Sequence, residues 1–344
     1  MAVLEVEKLR IEFPTRRGVL TAVEDISFSI EAGEILGVVG ESGAGKSLTG
    51  TAVIGLLEPP GYVAAGRILL DGVDITHLPD AKMRKIRGDK IGAIFQDPLT
   101  SLNPLYTIGR QLTETILTHQ NVSARAARDQ AIGLLNDVGI PAAERRFTSY
   151  PHEFSGGMRQ RVVIALALCC NPRLIIADEP TTALDVSVQA QIIMLLKKLA
   201  KEHDVATMLI THDMGVIAEA ADRVAVIYSG RLAEIGNVRD VIDRPKHPYT
   251  KGLMDSIPKI GQNLAVLPNI EGAMPRLDSR PSGCAFSPRC PMVMDKCRNE
   301  VAKIEPTETA NQYAACWQLD AQIKAAPLEA PTAQSPKKVG EKYA

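Results

Sequence analysis

The N-terminal part of the chain alternates, for the most part, between hydrophobic and polar positions. A period of two places every second side chain on one face of a strand, so the pattern predicts two antiparallel strands joined by a turn at residues 14–18. A further strand and turn are predicted at residues 66–72. We therefore expect an antiparallel β subdomain. The positions that carry the alternation are Leu4, Val6, Leu9, Ile11, Phe13, Ile26, Phe28 and Ile30.

Mostly hydrophobic runs follow later in the chain and predict buried strands. They lie at residues 34–39, 91–95, 173–177 and 205–210. Helix-compatible stretches occur at residues 48–57, 108–117, 124–138, 162–168 and 188–200. Strand signals fade between residues 100 and 157. The whole predicts an α/β fold that carries a helical insertion.

Composition narrows the class of protein. The chain has 344 residues, of which 45% are hydrophobic and 23% charged, which is enough to bury a sizeable core in about two domains. With a net charge of −1, the chain has no overall positive charge that would attract DNA or RNA as its main partner. The start of the chain is acidic where a signal peptide is basic, and the longest hydrophobic stretch, residues 162–170, is too short to span a bilayer. We expect a cytosolic protein that meets membranes only through partners.

A glycine-rich segment separates the predicted strand at residues 34–39 from the helix at residues 48–57. It fits the pattern G-x-x-x-x-G-K-S/T, in which backbone N–H groups and a helix N-terminus surround phosphates. Lys46 is expected to reach the β- and γ-phosphates, and the Ser47 hydroxyl to bind Mg²⁺. The candidate nucleotide-binding residues are Gly40, Glu41, Ser42, Gly43, Ala44, Gly45, Lys46, Ser47 and Leu48.

A second helix start carries a similar signal. Ser155 is placed as an N-cap and is followed by Gly156 and Gly157. Such a start can bind an anion, although on its own a plain capped helix is the better interpretation.

Two adjacent acids, Asp178 and Glu179, follow the buried strand at residues 173–177. In a nucleotide site Asp178 would hold Mg²⁺ through water, and Glu179 would polarise the water that attacks the γ-phosphate. His212 lies just past another predicted strand, where doubly wound sheets place ligands. One acid at a strand end is common, whereas this pair favours a nucleotide site.

These motifs, in this order, resemble the ATP-binding subunits of ABC transporters over about residues 3–240. The resemblance implies a P-loop NTPase fold and ATP hydrolysis with Mg²⁺. Met158 departs from the commonest form of the family, which has glutamine after Ser-Gly-Gly, but serine and the glycine backbone are expected to make most of the phosphate contact. The family's motifs correspond to Walker A at residues 40–47, the Q-loop Gln96, the signature at 155–159, Walker B at 174–178, the D-loop at 183–185 and the switch histidine His212.

The resemblance also assigns roles to single residues. It implies Glu179 as the catalytic carboxylate, with His212 and Gln96 also in catalysis. Ser47, Gln96 and Asp178 are implied near Mg²⁺.

The resemblance further implies a head-to-tail pair of subunits. ATP would lie between the Walker A loop of one subunit and the Ser155 region of the other, with Asp185 in the D-loop nearby. Phe13 is the candidate for stacking on adenine, but an aromatic residue that closes an alternating strand more often belongs to the core. Closure on ATP and opening after hydrolysis would reach the membrane subunits through Gln96 and the helical insertion.

A finer resemblance is to the ATPases of oligopeptide and dipeptide importers, at residues 94–104, 184–191 and 247–250. It implies a second, related ATPase in a heterodimer, two membrane permeases, an extracytoplasmic solute-binding protein and a place on the cytoplasmic face of the inner membrane. Nickel importers of the same family are the alternative. A soluble ABC ATPase acting on nucleic acid or ribosomes, and a small-molecule kinase, fit the motifs less well. His247 is interpreted as an ordinary loop residue.

Three segments are predicted. Residues 1–240 form the ABC ATP-binding domain, with the helical insertion at about 98–157. Residues 241–323 form a loop-rich C-terminal extension, because Pro and Gly recur there with little periodicity. Residues 324–344, rich in Ala, Pro and Lys, form a disordered tail.

Cysteines cluster in the extension at Cys284, Cys290, Cys297 and Cys316, whereas Cys169 and Cys170 end a hydrophobic helix and belong to the core. Clustered cysteines in an irregular part of a cytosolic protein favour metal over disulfides.

These four cysteines have three possible interpretations: a zinc site, an iron–sulfur cluster or free thiols. Zinc usually needs closely spaced pairs, whereas iron–sulfur clusters tolerate wider gaps, and the pattern resembles the 4Fe–4S site of some dipeptide importer ATPases. Replacing Cys290 by Ser is expected to loosen residues from about 280 to 320 and to spare ATP binding at Lys46.

Overall fold

Two β-sheets carry the fold in the computed structural model of the protein, which describes residues 2–182, 184–257 and 269–319. Ala183, part of the extension and the predicted tail therefore lie outside the described residues. The strands are β1 (Ala2–Thr15), β2 (Gly18–Glu31), β3 (Ile35–Val39), β4 (Tyr62–Leu70), β5 (Val73–Asp74), β6 (Ile91–Ile94), β7 (Leu174–Asp178), β8 (Ala206–Ile210), β9 (Arg223–Tyr228), β10 (Arg231–Asn237), β11 (Glu305–Pro306) and β12 (Tyr313–Ala314).

Helices cover the sheets and fill the predicted insertion. In the described residues they are α1 (Lys46–Val53), α2 (Asp80–Ile86), α3 (Pro98–Ser101), α4 (Ile108–His119), α5 (Ala124–Asp137), α6 (Ala143–Arg146), α7 (Gly156–Leu168), α8 (Val186–Glu202), α9 (Met214–Ala220), α10 (Val238–Asp243), α11 (Pro248–Asp255) and α12 (Asp295–Asn299).

The smaller sheet is antiparallel, with the strand order β2-β1-β4-β5. Its alternating hydrophobic residues point into the core, where Leu4, Leu9 and Ile11 are completely buried. The antiparallel β subdomain expected from the period of two is therefore confirmed.

The larger sheet has the order β11-β12-β10-β9-β3-β8-β7-β6. The strands from β6 to β9 in this order run parallel, which buries both of their faces and explains their uninterrupted hydrophobic sequences. The carboxyl ends of β3, β7 and β8 lie at one edge, which is where such sheets bind ligands.

Helix α1 ends sooner than its sequence predicted. Hydrophobic residues continue to residue 57, but the helix stops at Val53 and Gly55 adopts a φ of +65°. A left-handed glycine directly after a helix is a common way of ending it.

The extension docks on strand β10. Strand β12 pairs with β10, and the completely buried Glu234 accepts hydrogen bonds from the backbone N–H groups of Lys246 and His247, both at 2.9 Å, and from Gln312 Nε2 at 2.7 Å. Burial raises the pKa of Glu234. One buried carboxylate thus ties two parts of the extension to the sheet.

His247 is not an ordinary loop residue, so that interpretation is wrong. It is only 4% exposed, and its Nδ1 accepts the Tyr249 N–H at 3.0 Å as the N-cap of α11. Burial lowers the pKa of His247 to about 4, which keeps the ring neutral. Cys169 and Cys170 are buried in the core, as predicted.

Candidate active site

The glycine-rich segment forms the turn between β3 and α1. Gly40 has a φ of +155°, and a Cβ atom there would lie 2.1 Å from the Ile227 carbonyl oxygen, so only glycine fits. Gly45 is left-handed, with a φ of +101°, and immediately precedes α1. The loop can therefore pass close to β9 and lead directly into the helix, whose N-terminus faces the edge of the sheet.

Lys46 lies inside the curve of this loop. Its side chain is buried, and Nζ donates hydrogen bonds to the carbonyl oxygens of Gly40 at 2.8 Å and Glu41 at 3.0 Å. Burial lowers the pKa of Lys46, although the carboxylates of Glu179 and Asp178 partly oppose this. A buried ammonium group whose hydrogen bonds go to two backbone carbonyls is well suited to the charge of a phosphate.

Two of the three residues predicted near Mg²⁺, Ser47 and Asp178, meet where β7 ends and α1 begins. Ser47 Oγ donates to Asp178 Oδ1 at 3.0 Å. Burial raises the pKa of Asp178, and the nearby Glu179 adds to the shift. A hydroxyl and a partly buried carboxylate at this distance are oxygen donors of the kind that Mg²⁺ prefers, so this donor set fits the metal.

Glu179 is the centre of the site. Its backbone is left-handed, with a φ of +46°, which is uncommon for a residue with a Cβ atom. His212 Nδ1 lies 3.1 Å from its Oε1, while Gln96 Nε2 at 3.1 Å and Thr182 Oγ1 at 2.9 Å donate to its Oε2. Burial by itself raises the pKa of Glu179, but the bonds from His212 and Thr182 outweigh it and leave the pKa below its ordinary value. The carboxylate is therefore ionised at neutral pH.

Thr182 is a hydrogen-bond partner of Glu179 that sequence reasoning missed. It lies three positions after Glu179, in a turn whose importance only the side-chain contact reveals. Gln96 was predicted, and its amide nitrogen faces Glu179.

These side chains surround a cavity of about 580 Å³, which is large enough for a small-molecule ligand. Six of the nine predicted loop residues line it. The lining residues are Ser42, Gly43, Gly45, Lys46, Ser47, Leu48, Gln96, Glu179, Thr182 and His212.

Other predicted residues lie elsewhere in the described structure. Ser155 caps α7 by accepting the Met158 N–H at 3.3 Å, and Gly157 packs so tightly against Val188 that a Cβ atom would lie 2.7 Å from it. Phe13 packs against Gly61. In the described residues, the cavity lining does not include Phe13, Ser155, Gly156, Gly157 or Asp185.

Glu41 turns its side chain towards the extension. Its carboxylate pairs with Arg289 at 2.9 Å, and its backbone N–H donates to the Tyr249 hydroxyl at 2.9 Å. Sequence reasoning missed both partners because they lie 208 and 248 positions away.

The four cysteines of the extension come together. Cys284, Cys290, Cys297 and Cys316 line one cavity of about 20 Å³, beside His247. Burial raises the pKa of Cys290 to about 12 and that of Cys316 to about 11, and neighbouring thiols add to both shifts.

The cysteine cavity offers the right donors for a metal centre. Thiols are the preferred ligands of iron–sulfur clusters. However, a cavity of this size holds about one water molecule, and within the described ranges no three His, Cys, Asp or Glu side chains are arranged to hold a metal ion. The donor set therefore fits a metal centre, whereas the present spacing does not.

Two family models match the chain. The ABC transporter model covers residues 23–182, and the model of the oligopeptide/dipeptide transporter C-terminal region covers residues 233–297. The first spans the phosphate loop, Gln96 and Glu179; the second spans most of the docked extension.

Curated relatives are similar over most of their length. The dipeptide transport ATP-binding protein DppD of Bacillus subtilis is 48% identical over 95% of this chain and 97% of its own. The oligopeptide transport ATP-binding protein OppD of Escherichia coli is 49% identical over 86% of this chain and 88% of its own.

Solved structures share the fold. One is a dimeric ATP-binding cassette in a post-hydrolysis state bound to ADP and Pi, with a TM-score of 0.61 and 29% identity over 69% of this chain and 99% of its own. Another is cbiO1 from Clostridium perfringens, part of an ABC transporter complex, with a TM-score of 0.61 and 28% identity over 70% of this chain and 91% of its own. No helix in the part of the chain that the structure describes is long and apolar enough to cross a membrane.

Proposed function

The chain belongs to the ATP-binding proteins of the ABC dipeptide and oligopeptide transporters, and from this membership we propose that its ATP hydrolysis drives peptide import through partner membrane permeases. The observation that carries the proposal is the convergence of the phosphate loop and the hydrogen-bonded Glu179 on one cavity, with Asp178 bonded to Ser47 in its wall. The family of the C-terminal region supports peptides as the cargo.

The geometry supports a division of labour in the site. The loop and Lys46 bind the phosphates. Ser47 and Asp178 would hold Mg²⁺, which supplies positive charge to the phosphate oxygens when bound. Gln96 lines the same cavity as Ser47. Glu179 accepts a hydrogen bond from the attacking water and polarises it, because its carboxylate is ionised. His212 and Thr182 hold the orientation of that carboxylate.

We place a second ATPase subunit over the open side of the cavity. The Ser155 helix start does not line the cavity of its own chain, so it is free to complete the site of a partner. A similar solved cassette is dimeric. We propose a heterodimer on the cytoplasmic face of the inner membrane with two permeases, an extracytoplasmic binding protein and no nucleic acid.

Reconstitution tests the proposed function. The chain, its partner ATPase, the permeases and the binding protein, assembled in proteoliposomes, are expected to take up a dipeptide or oligopeptide only with ATP and Mg²⁺. Uptake of nickel instead of peptides would support the alternative cargo. ATPase activity that responds to nucleic acid or ribosomes and not to permeases would contradict a role in transport.

We also propose that Cys284, Cys290, Cys297 and Cys316 hold an iron–sulfur cluster. Their shared cavity and the wide gaps between them along the chain support this choice. Such a cluster requires a wider cavity than the present one. Its binding would be part of the folding of this loop-rich segment, because the segment has little hydrophobic core of its own.

Anaerobic purification followed by iron and sulfide analysis tests the cluster. The wild-type chain is expected to contain both elements and to absorb broadly at about 400 nm. Cys290→Ser should lose both signals, whereas Cys170→Ser, which changes a cysteine of the core, should keep them. One zinc per chain, or metal-free anaerobic protein, would contradict the cluster.

A further inference from the structure

The C-terminal extension forms hydrogen bonds with the phosphate loop at Glu41. The Glu41 backbone N–H donates to the Tyr249 hydroxyl at 2.9 Å. Arg289 Nη1 donates to both carboxylate oxygens of Glu41, at 2.9 and 3.0 Å, and to the Tyr228 hydroxyl at 3.2 Å. The main chain and the side chain of one loop residue are therefore fixed by a segment that lies far away in sequence.

Arg289 is rigidly placed. Its side chain is only 6% exposed, and its other N–H groups donate to the carbonyl oxygens of Glu271 at 2.9 Å and Ile270 at 3.2 Å. Every nitrogen of the guanidinium thus has a partner, and solvent screens the pair with Glu41 only weakly. A buried, fully bonded arginine fixes the position of whatever it binds.

Glu41 also forms hydrogen bonds with other residues of the phosphate loop. Its carbonyl oxygen accepts hydrogen bonds from Lys46 Nζ at 3.0 Å and from the Ala44 N–H at 3.1 Å. A second contact acts at the tip, where the Met274 side chain faces Gly43. A shift of Glu41 therefore moves the carbonyl that orients Lys46.

Tyr249, like Arg289, is held firmly by its surroundings. Its side chain is completely buried, and its ring packs against Tyr228 and Phe286 with centroids 4.5 and 5.5 Å away. His247 fixes the start of the same helix by accepting the Tyr249 N–H. The hydroxyl is thus presented to Glu41 by a packed aromatic cluster.

We propose that Arg289 and Tyr249 are positioning residues of the nucleotide site, which hold the phosphate loop in its binding conformation from outside the cavity. The proposal rests on the proposed function only in that the loop binds ATP. It predicts a loss in ATP affinity when the contact is removed, because the loop must then be ordered by the nucleotide itself. Because Cys290 directly follows Arg289, the proposal also predicts that a change at Cys290 weakens ATP binding. The sequence alone led to the opposite expectation, that such a change spares ATP binding.

Equilibrium ATP binding to the purified full-length chain tests the proposal. Arg289→Gln is expected to weaken ATP binding by about tenfold, within the usual range of coupling between sites. In the assembled transporter the same variant should raise the KM for ATP and leave kcat at saturating ATP within about twofold of wild type. Arg289→Lys, which keeps the charge, should recover part of the affinity.

Arg280→Gln is the matched control. Arg280 also belongs to the extension and is buried, but it bonds to Glu24 at 3.3 Å and to the Thr21 carbonyl at 3.0 Å in β2. We expect ATP affinity within about twofold of wild type for this variant, because in the described part of the chain the hydrogen bonds of Arg280 go to β2 and not to the phosphate loop. Tyr249→Phe keeps the ring and removes the hydroxyl, and it is the second test if Arg289→Gln does not fold.

In a double-mutant cycle, Arg289→Gln should cost little in a Glu41→Gln background, because the two residues act as a pair. Equal losses in both backgrounds, a lower melting temperature with unchanged ATP affinity, or an Arg280→Gln effect as large as that of Arg289→Gln would overturn the positioning role. Failure of the wild-type chain to bind ATP would instead overturn the proposed function, and Lys46→Ala provides that separate check.

Discussion

Replacing Glu179 by glutamine is expected to lower ATP turnover by at least about 100-fold while ATP remains bound. Glutamine keeps the size of the side chain and can still bond to His212 and Thr182, so the shape of the cavity is retained. It lacks the negative charge that polarises the attacking water. The loss should therefore fall on kcat and not on nucleotide affinity.

Steady-state hydrolysis by the assembled transporter, measured beside equilibrium ATP binding, checks this expectation. Glu144→Gln is a suitable control, because that carboxylate is exposed in the helical insertion and pairs with Arg128. Since the pKa of Glu179 lies below its ordinary value of 4.5, its ionisation should not limit activity above that pH. Turnover close to wild type in Glu179→Gln would rule out the catalytic role.

The fold was predictable where the local sequence is decisive. The period of two in β1 and β2 and the uninterrupted hydrophobic runs of β3, β7 and β8 report burial on one or both faces, and these strands lie where expected. The phosphate loop was predictable for a similar reason, because its glycines and Lys46 must be close together in sequence to surround a phosphate.

Other features depend on contacts that no local pattern records. Tyr249 and Arg289 reach Glu41 only because the extension returns to β10 and docks through the buried Glu234. In the sequence Thr182 is an ordinary turn residue. Only the structure shows that its hydroxyl donates a hydrogen bond to Glu179. Hydrophobic residues continue after Val53 and favoured a longer helix, but the left-handed Gly55 ends the helix at Val53.

The second large effect is expected from changes at Lys46 and Ser155. Lys46→Ala is expected to weaken ATP binding to the isolated chain by at least about tenfold, because a charged hydrogen-bond donor inside the loop is lost. Ser155→Arg should leave that binding within about twofold of wild type, because Ser155 does not line the cavity of its own chain. In the assembled transporter, however, Ser155→Arg should abolish hydrolysis by blocking closure of the pair.

Ser155→Ala separates steric block from loss of the helix cap. Ser155 Oγ accepts the Met158 N–H, so its removal costs about 1 kcal/mol of stability but introduces no bulk. We expect hydrolysis by Ser155→Ala to fall much less than by Ser155→Arg. ATP binding to each isolated variant and ATP-dependent association of the two ATPase subunits are the measurements. If Ser155→Arg abolished ATP binding by the isolated chain, or if the pair still formed and hydrolysed ATP normally, the Ser155 helix start would have no place in a shared site.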